Sequence, residues 1–253
     1  VPNRFVAFSL ALAAIAATPV TPATPATATA PARAECQRLN DSGRYAEAVS
    51  PCRATVDLAR AGRDRDTPPG ELGRALTSLG LALEMTGERT AAEASYREAL
   101  ALHRGLGQRE QEALVLSNLA ALAIGGGDYG GALAWLAAEE EVARSALARG
   151  EAGWASEELQ YVRINRSVAL EQLGAYAEAL AEIRPLAGAP DEPGERSPAL
   201  AVNLAVLYRN LGHPRRALEL LEDARRSYER SADLSALANV HLNRGLVYEL
   251  NLH

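Results

Sequence analysis

One short block, Gly-x-Tyr-x-x-Ala, recurs along this chain and constrains its fold more than any other feature. It stands at Gly43-Arg44-Tyr45-Ala46-Glu47-Ala48, at Gly127-Asp128-Tyr129-Gly130-Gly131-Ala132 and at Gly174-Ala175-Tyr176-Ala177-Glu178-Ala179. Two variants, Gly87-Glu88-Arg89-Thr90-Ala91-Ala92 and Gly212-His213-Pro214-Arg215-Arg216-Ala217, fill the gaps, so the glycines fall 44, 40, 47 and 38 residues apart. Each block follows one amphipathic helical stretch and precedes another. A glycine at the turn can take positive φ and close the first helix. Repetition at this period implies helix pairs that stack on their neighbours, because one pair cannot bury its apolar face alone. Composition agrees: the apolar content is mostly Ala and Leu, aromatics are 5% of 253 residues, and β-branched residues are sparse.

The repeats resemble the tetratricopeptide repeat, a helix-turn-helix unit of 34 residues, over residues 35 to 253. The second repeat carries the resemblance best: Leu76, Leu79, Gly80 and Leu83 on the first helix (helix A), Gly87 at the turn, and Ala92, Tyr96 and Ala99 on the second (helix B). The small residues let the helices approach closely, and Leu76, Leu79 and Leu83 fill their seam. The third repeat has Leu116, Leu119, Ala120, Gly127, Tyr129 and Ala132. The fourth has Ser167, Leu170, Gly174, Tyr176 and Ala179, and the fifth Leu204, Ala205, Tyr208, Gly212 and Ala217. Pro214 opens a helix B where a missing N–H costs little. Repeats are expected at 35–61, 71–104, 111–149, 157–187 and 197–231, with a partial one at 233–253 whose helix A runs from about Leu234 to Leu250. Units of about 40 residues are similar to the kinesin-light-chain-like branch of the family. The resemblance implies an all-α fold, a right-handed superhelix of about five helix pairs plus a terminal helix.

Residues 1–34 read differently. Arg4 precedes an apolar run from Phe5 to Ala17, too short for a bilayer span of about 20 residues. This is the form of a secretory signal, and the following Thr/Pro/Ala tract from Thr18 to Pro31 reads as a linker. Cleavage fits after Ala17 or after Ala34. Export to the periplasm or cell envelope is expected, with no stable membrane span after cleavage. The net charge of −6 becomes −8 once Arg4 and Arg33 are removed, and all 26 basic residues are Arg without forming a basic block. Nucleic acid is therefore not an expected partner.

Asn recurs at one position of helix A: Asn118, Asn165, Asn203 and Asn243, each two residues before the small packing residue. Stacking would align them along the inner face. Each amide offers a donor and an acceptor, so the row resembles the asparagine ladder of tetratricopeptide scaffolds that bind extended peptides. The alternative is that each Asn serves repeat stacking. Around the row fall Leu114, Tyr161, Ile164, Val168, Val202, Val206, Leu242 and Leu246, with Glu171, Gln172, Arg209, Asn210 and Glu249 toward one edge. Arg163, Arg166 and Arg244 stand where the family has apolar residues and could reach a ligand carboxylate or pair with nearby Glu. In the repeat register Cys36 and Cys52 face each other across the first helix pair. An exported protein allows a disulfide there, and that reading is favoured over two buried thiols.

Catalytic and metal-binding motifs are absent from the sequence. The four His have no ligand spacing. Gly125-x-Gly127-x-x-Gly130 uses a turn glycine and opens no βαβ unit. Glu139-Glu140-Glu141 reads as a solvated helix face. The expected function is an exported, non-catalytic scaffold, without cofactor, that binds a protein or peptide in its groove. Self-association is a further option. The alternative is the N-terminal recognition region of a larger enzyme, such as a caspase-like peptidase, cut off after His253.

Overall fold

The computed structural model describes residues 29–61, 70–187 and 197–251. The proposed signal, residues 1–28 of the leader, and residues 62–69 and 188–196 of two insertions lie outside the described residues. Every described element is helical: α1 Thr29–Asp41, α2 Tyr45–Ala61, α3 Glu71–Met85, α4 Arg89–Gly105, α5 Arg109–Gly125, α6 Tyr129–Ala148, α7 Ala152–Gln172, α8 Tyr176–Ile183, α9 Pro198–Asn210, α10 Pro214–Ser231 and α11 Leu234–Asn251. One 3₁₀ turn, Arg184–Ala187, follows α8. Odd-numbered helices are the A helices and even-numbered ones the B helices.

The turns follow the glycines. Gly43, Gly87, Gly127, Gly174 and Gly212 all have φ between +72° and +86°. At Gly87 the local wiring is visible: its N–H donates to the Glu84 carbonyl at 3.0 Å, and the next N–H, of Glu88, reaches back to the Leu83 carbonyl at 2.8 Å. These bonds satisfy carbonyls that the end of α3 would leave open. The packing glycine has a different reason. A Cβ on Gly80 would lie 2.5 Å from the Tyr96 ring, so α3 and α4 reach their spacing only without it.

The chain forms two compact units, divided within α7 between Val162 and Arg163. In the amino-terminal unit each helix packs on the next, and α1, α3 and α5 also touch in sequence as a layer of A helices. Its core runs from Cys36, Leu39, Cys52 and Val56 through Leu76, Leu79, Leu83, Tyr96 and Leu100 to Leu116 and Leu119. Every seam residue predicted for the second repeat is buried here. In α1 the helix starts at Thr29, upstream of the residue-35 boundary. Pro31 falls in its first turn, where a backbone N–H has no intrahelical partner, so it does not block the helix.

In the carboxy-terminal unit α8 packs on α9, α9 on α10 and α11, and α10 on α11. Ile183, Leu200, Leu204, Leu207, Leu220, Leu221, Val240 and Val247 form the core. Helix α8 has only 8 residues, against 17 for α4 and 18 for α10. Pro185 accounts for the end of α8, because it has no N–H to carry the helical ladder on, and the chain passes into the 3₁₀ turn. No described helix is long and apolar enough to cross a membrane.

Candidate functional site

The turn glycines supply a register for the A helices. Nine residues before the glycine stand Ser78 on α3, Asn118 on α5, Asn165 on α7 and Asn203 on α9; Asn243 takes the equivalent place on α11. Three residues before it stand Asn40 on α1 and Arg209 on α9. These two positions meet across neighbouring A helices. The Asn40 amide donates to the Ser78 carbonyl at 3.0 Å, joining α1 to α3. With the same offset, Arg209 donates through Nη1 to Asn243 Oδ1 at 3.3 Å, joining α9 to α11. One such rung stands in each unit, ending on a backbone carbonyl in the first and on a side-chain amide in the second.

The rung revises the asparagine row. Asn243 is buried, and its Nδ2 donates to the Asn239 carbonyl at 3.0 Å and to Asn239 Oδ1 at 2.7 Å. With its oxygen already accepting from Arg209, Asn243 serves repeat stacking and is not presented to a ligand. Asn118, Asn165 and Asn203 differ. Each is partly exposed, and none makes a side-chain hydrogen bond to another described residue. Asn118 lies in the amino-terminal unit, and Asn165 and Asn203 lie in the carboxy-terminal one.

With this geometry in place, comparison with known proteins is direct. The family model for the tetratricopeptide repeat matches residues 72–106, the α3–α4 pair, and residues 199–232, the α9–α10 pair. The chain carries tetratricopeptide repeats. A Podosopora anserina protein named as a kinesin light chain, with nearly identical TPR-like repeats, has 18% identity and a TM-score of 0.61, covering 81% of this chain and 99% of that one. BtubC (BKLC) from P. vanneervenii has 18% identity and a TM-score of 0.56, covering 82% of this chain and 93% of that one. At such identities the likeness is one of fold: an all-α tetratricopeptide solenoid. No curated protein matches the chain in sequence.

The arginines of the tetratricopeptide A helices have separate fates. Arg166 pairs with Glu182 at 3.3 Å, clamping α7 to α8, so it is engaged within the protein and is not an open carboxylate receptor. Arg244 faces Glu222 at 3.6 Å. Arg209, besides its rung, donates through Nε and Nη2 to Asn210 Oδ1 at 3.2 Å. Burial lowers its pKa from the usual guanidinium value, while the nearby Glu171 and Tyr176 oppose that shift. Arg163 is partly exposed and has no ion pair among the described residues. Tyr161 and Leu114, both in the amino-terminal unit, are exposed on 38% and 37% of their surfaces.

Cys36 on α1 and Cys52 on α2 are joined as a disulfide, with an S–S distance of 2.02 Å and Cα atoms 4.9 Å apart. Both are buried in the core of the first repeat. The Glu139-Glu140-Glu141 run is not one solvated face. Glu141 is exposed and Glu140 pairs with Arg144 at 2.5 Å, but Glu139 is fully buried. Its position, twelve residues after the turn glycine, holds Ala99 and Ala224 in the second and fifth repeats, so packing there is tight. Beside it on α7, burial raises the pKa of Glu158; the Glu139 contact opposes the rise and the charge of Glu110 on α5 adds to it. Among the described residues no group of three or more His, Cys, Asp or Glu could hold a metal ion.

The sequence reading missed Asn40, the Arg209–Asn243 rung and the burial of Glu139. A signal for the first existed: Asn40 and Arg209 stand at the same distance from their turn glycines.

Proposed function

We propose that the protein is an exported, non-catalytic tetratricopeptide scaffold that holds a protein or peptide ligand on the inner face of its A helices. The observation that carries this reading is the state of Asn165 and Asn203 on the A helices of the carboxy-terminal unit. They are partly exposed amides whose donors and acceptors bond to no other described side chain or backbone group. An extended ligand backbone has the complementary groups, N–H and C=O, at regular spacing. Export is supported by Arg4 and the short apolar run from Phe5 to Ala17.

The test begins with capture of a partner from the envelope fraction by the intact chain. Binding of that partner is then measured for Asn165→Ala combined with Asn203→Ala. Loss of two hydrogen bonds worth about 0.5–1.5 kcal/mol each predicts an affinity roughly ten- to a hundredfold weaker. An unchanged affinity in a double variant with unaltered circular dichroism would refute the reading.

A further inference from the structure

The rung register holds one more pair. Three residues before the turn, where α1 has Asn40 and α9 has Arg209, α3 has Glu84; nine before it, α5 has Asn118. Both lie in the amino-terminal unit, on A helices that touch. The offset that joins Asn40 to Ser78 sets Glu84 toward Asn118, yet no hydrogen bond closes between these two side chains. Tyr96 supplies the reason. Its ring is fully buried against Gly80, and its hydroxyl donates to Glu84 Oε2 at 2.8 Å, drawing the carboxyl toward α4. The other oxygen, Oε1, accepts from no described group and reaches solvent, as does the Asn118 amide.

Glu84 is also a charge without a counter-ion: no described cation pairs with it. Arg89, whose charge acts on it, donates its guanidinium to the Leu122 carbonyl of α5. Arg53 is taken by Glu88 at 3.3 Å and Arg74 by Glu71 at 3.0 Å. The carboxyl stands in the last turn of α3, a helix with no basic residue in that turn. A helix C-terminus carries about half a negative charge, so an acid there gains from the approach of a cation. Burial raises the Glu84 pKa, and the Tyr96 hydroxyl and the Arg89 charge oppose the rise. A half-buried carboxylate has lost part of its hydration, and here no ion within the described chain offsets that loss.

We propose that Glu84 and Asn118 form a subsite in the amino-terminal unit for a cationic side chain of the ligand, an arginine. A guanidinium is planar and presents its donors in a fork. One N–H meets Glu84 Oε1 in a charge-assisted bond, and a second meets Asn118 Oδ1. Asn118 Nδ2 is left to donate to a carbonyl of the same ligand chain. Tyr96 acts as a positioning residue: it holds the carboxyl in place, so little ordering is required when the ligand arrives. An acidic side chain meets repulsion from Glu84 and from the C-terminal end of α3. The inference rests on the ligand reading above only in taking the A-helix face as the binding side.

The experiment uses the full chain and two probes, N-acetyl-arginine amide and its uncharged isostere N-acetyl-citrulline amide, read by NMR at the Tyr96 ring and the Asn118 side-chain amide. The arginine probe should shift both signals saturably, with a Kd of about 1–10 mM for a ligand this small. Citrulline should bind about tenfold more weakly, because a hydrogen bond to a charged group is stronger when the donor is charged too. Glu84→Gln keeps an acceptor for Tyr96 and should bring arginine down to the citrulline level. If circular dichroism shows that variant unfolded, Asn118→Ala, at a partly exposed position, should weaken arginine about three- to tenfold. Equal binding of the two probes, no shift from either at about 50 mM, or an arginine preference untouched by these substitutions overturns the inference. Each of those outcomes leaves the scaffold reading standing, since its test reads Asn165 and Asn203 in the other unit. Arginine bound at Glu84 with no dependence of the captured partner on Asn165 and Asn203 sinks the scaffold reading alone.

Discussion

Ala232 closes α10 at φ +55°, the one non-glycine residue with positive φ among the described residues. Its counterparts at the other helix ends, such as Gly87 and Gly174, are glycines. An L side chain in the left-handed region costs about 1–2 kcal/mol, part of which glycine returns as unfolded-chain entropy. Ala232→Gly is therefore expected to stabilise the protein by about 0.5–1 kcal/mol, read from a shift in the urea midpoint at constant slope. Glu158 makes the opposite kind of contribution. Its folded pKa is raised above the unfolded value, chiefly by burial. The unfolded state loses its proton first as pH rises, so stability falls from about pH 4.3 upward, the ordinary Glu value, until the folded carboxyl also ionises. Glu158→Gln removes this penalty: the variant should gain stability at pH 7 and lose the decline that the parent shows above about pH 4.3. A pH series of denaturation midpoints that is identical for the two proteins would show that this carboxyl is not the source.

At the scale of elements, α1 is the least embedded helix of the amino-terminal unit. Cys36, Leu39 and Asn40 are its buried residues among those described, and the Asn40 bond to Ser78 and the Arg33 pair with Glu71 at 3.1 Å are its polar links to α3. The disulfide to α2 compensates for the small contact area. Closing a loop with a sequence separation of 16 is worth about 3 kcal/mol on the chain-entropy account. Replacing both cysteines by Ser should raise hydrogen exchange in α1 and α2 by about two orders of magnitude, with α5 and α6 unchanged. Equal protection in α1 would mean that packing alone holds it. The repeat register made this cysteine pair legible in the sequence, because two small positions of one helix pair must face each other. The Arg209–Asn243 rung was not legible, since it joins residues 34 apart on helices whose offset is set by packing. Glu139 was misread for a related reason. Three consecutive acids look solvated in a string, but an α-helix turns each by about 100°, and only the neighbouring helix decides which of them it covers.

For the whole molecule, the two units make stability local. A repeat contacts mainly its neighbours, so a lesion is felt over a limited distance. Leu221, fully buried in the carboxy-terminal core, tests this. Leu221→Ala should cost about 2–5 kcal/mol and lower protection in α9, α10 and α11, while α3 and α4 exchange as before. A uniform loss along the chain would instead indicate one cooperative block.

The sequence by itself determined the helix pairs, their turns and their seams. Those depend on local periodicity and on glycines that must take positive φ, and both are written in short stretches of chain. It also located the row of asparagines. Tertiary structure alone decided which of them are open. Asn243 and Asn203 occupy the same place in their helices, yet Asn243 is consumed by Arg209 and Asn239 while Asn203 bonds to nothing described. The difference is physical: a polar group's availability depends on which partners packing brings within about 3 Å, and those partners come from other helices.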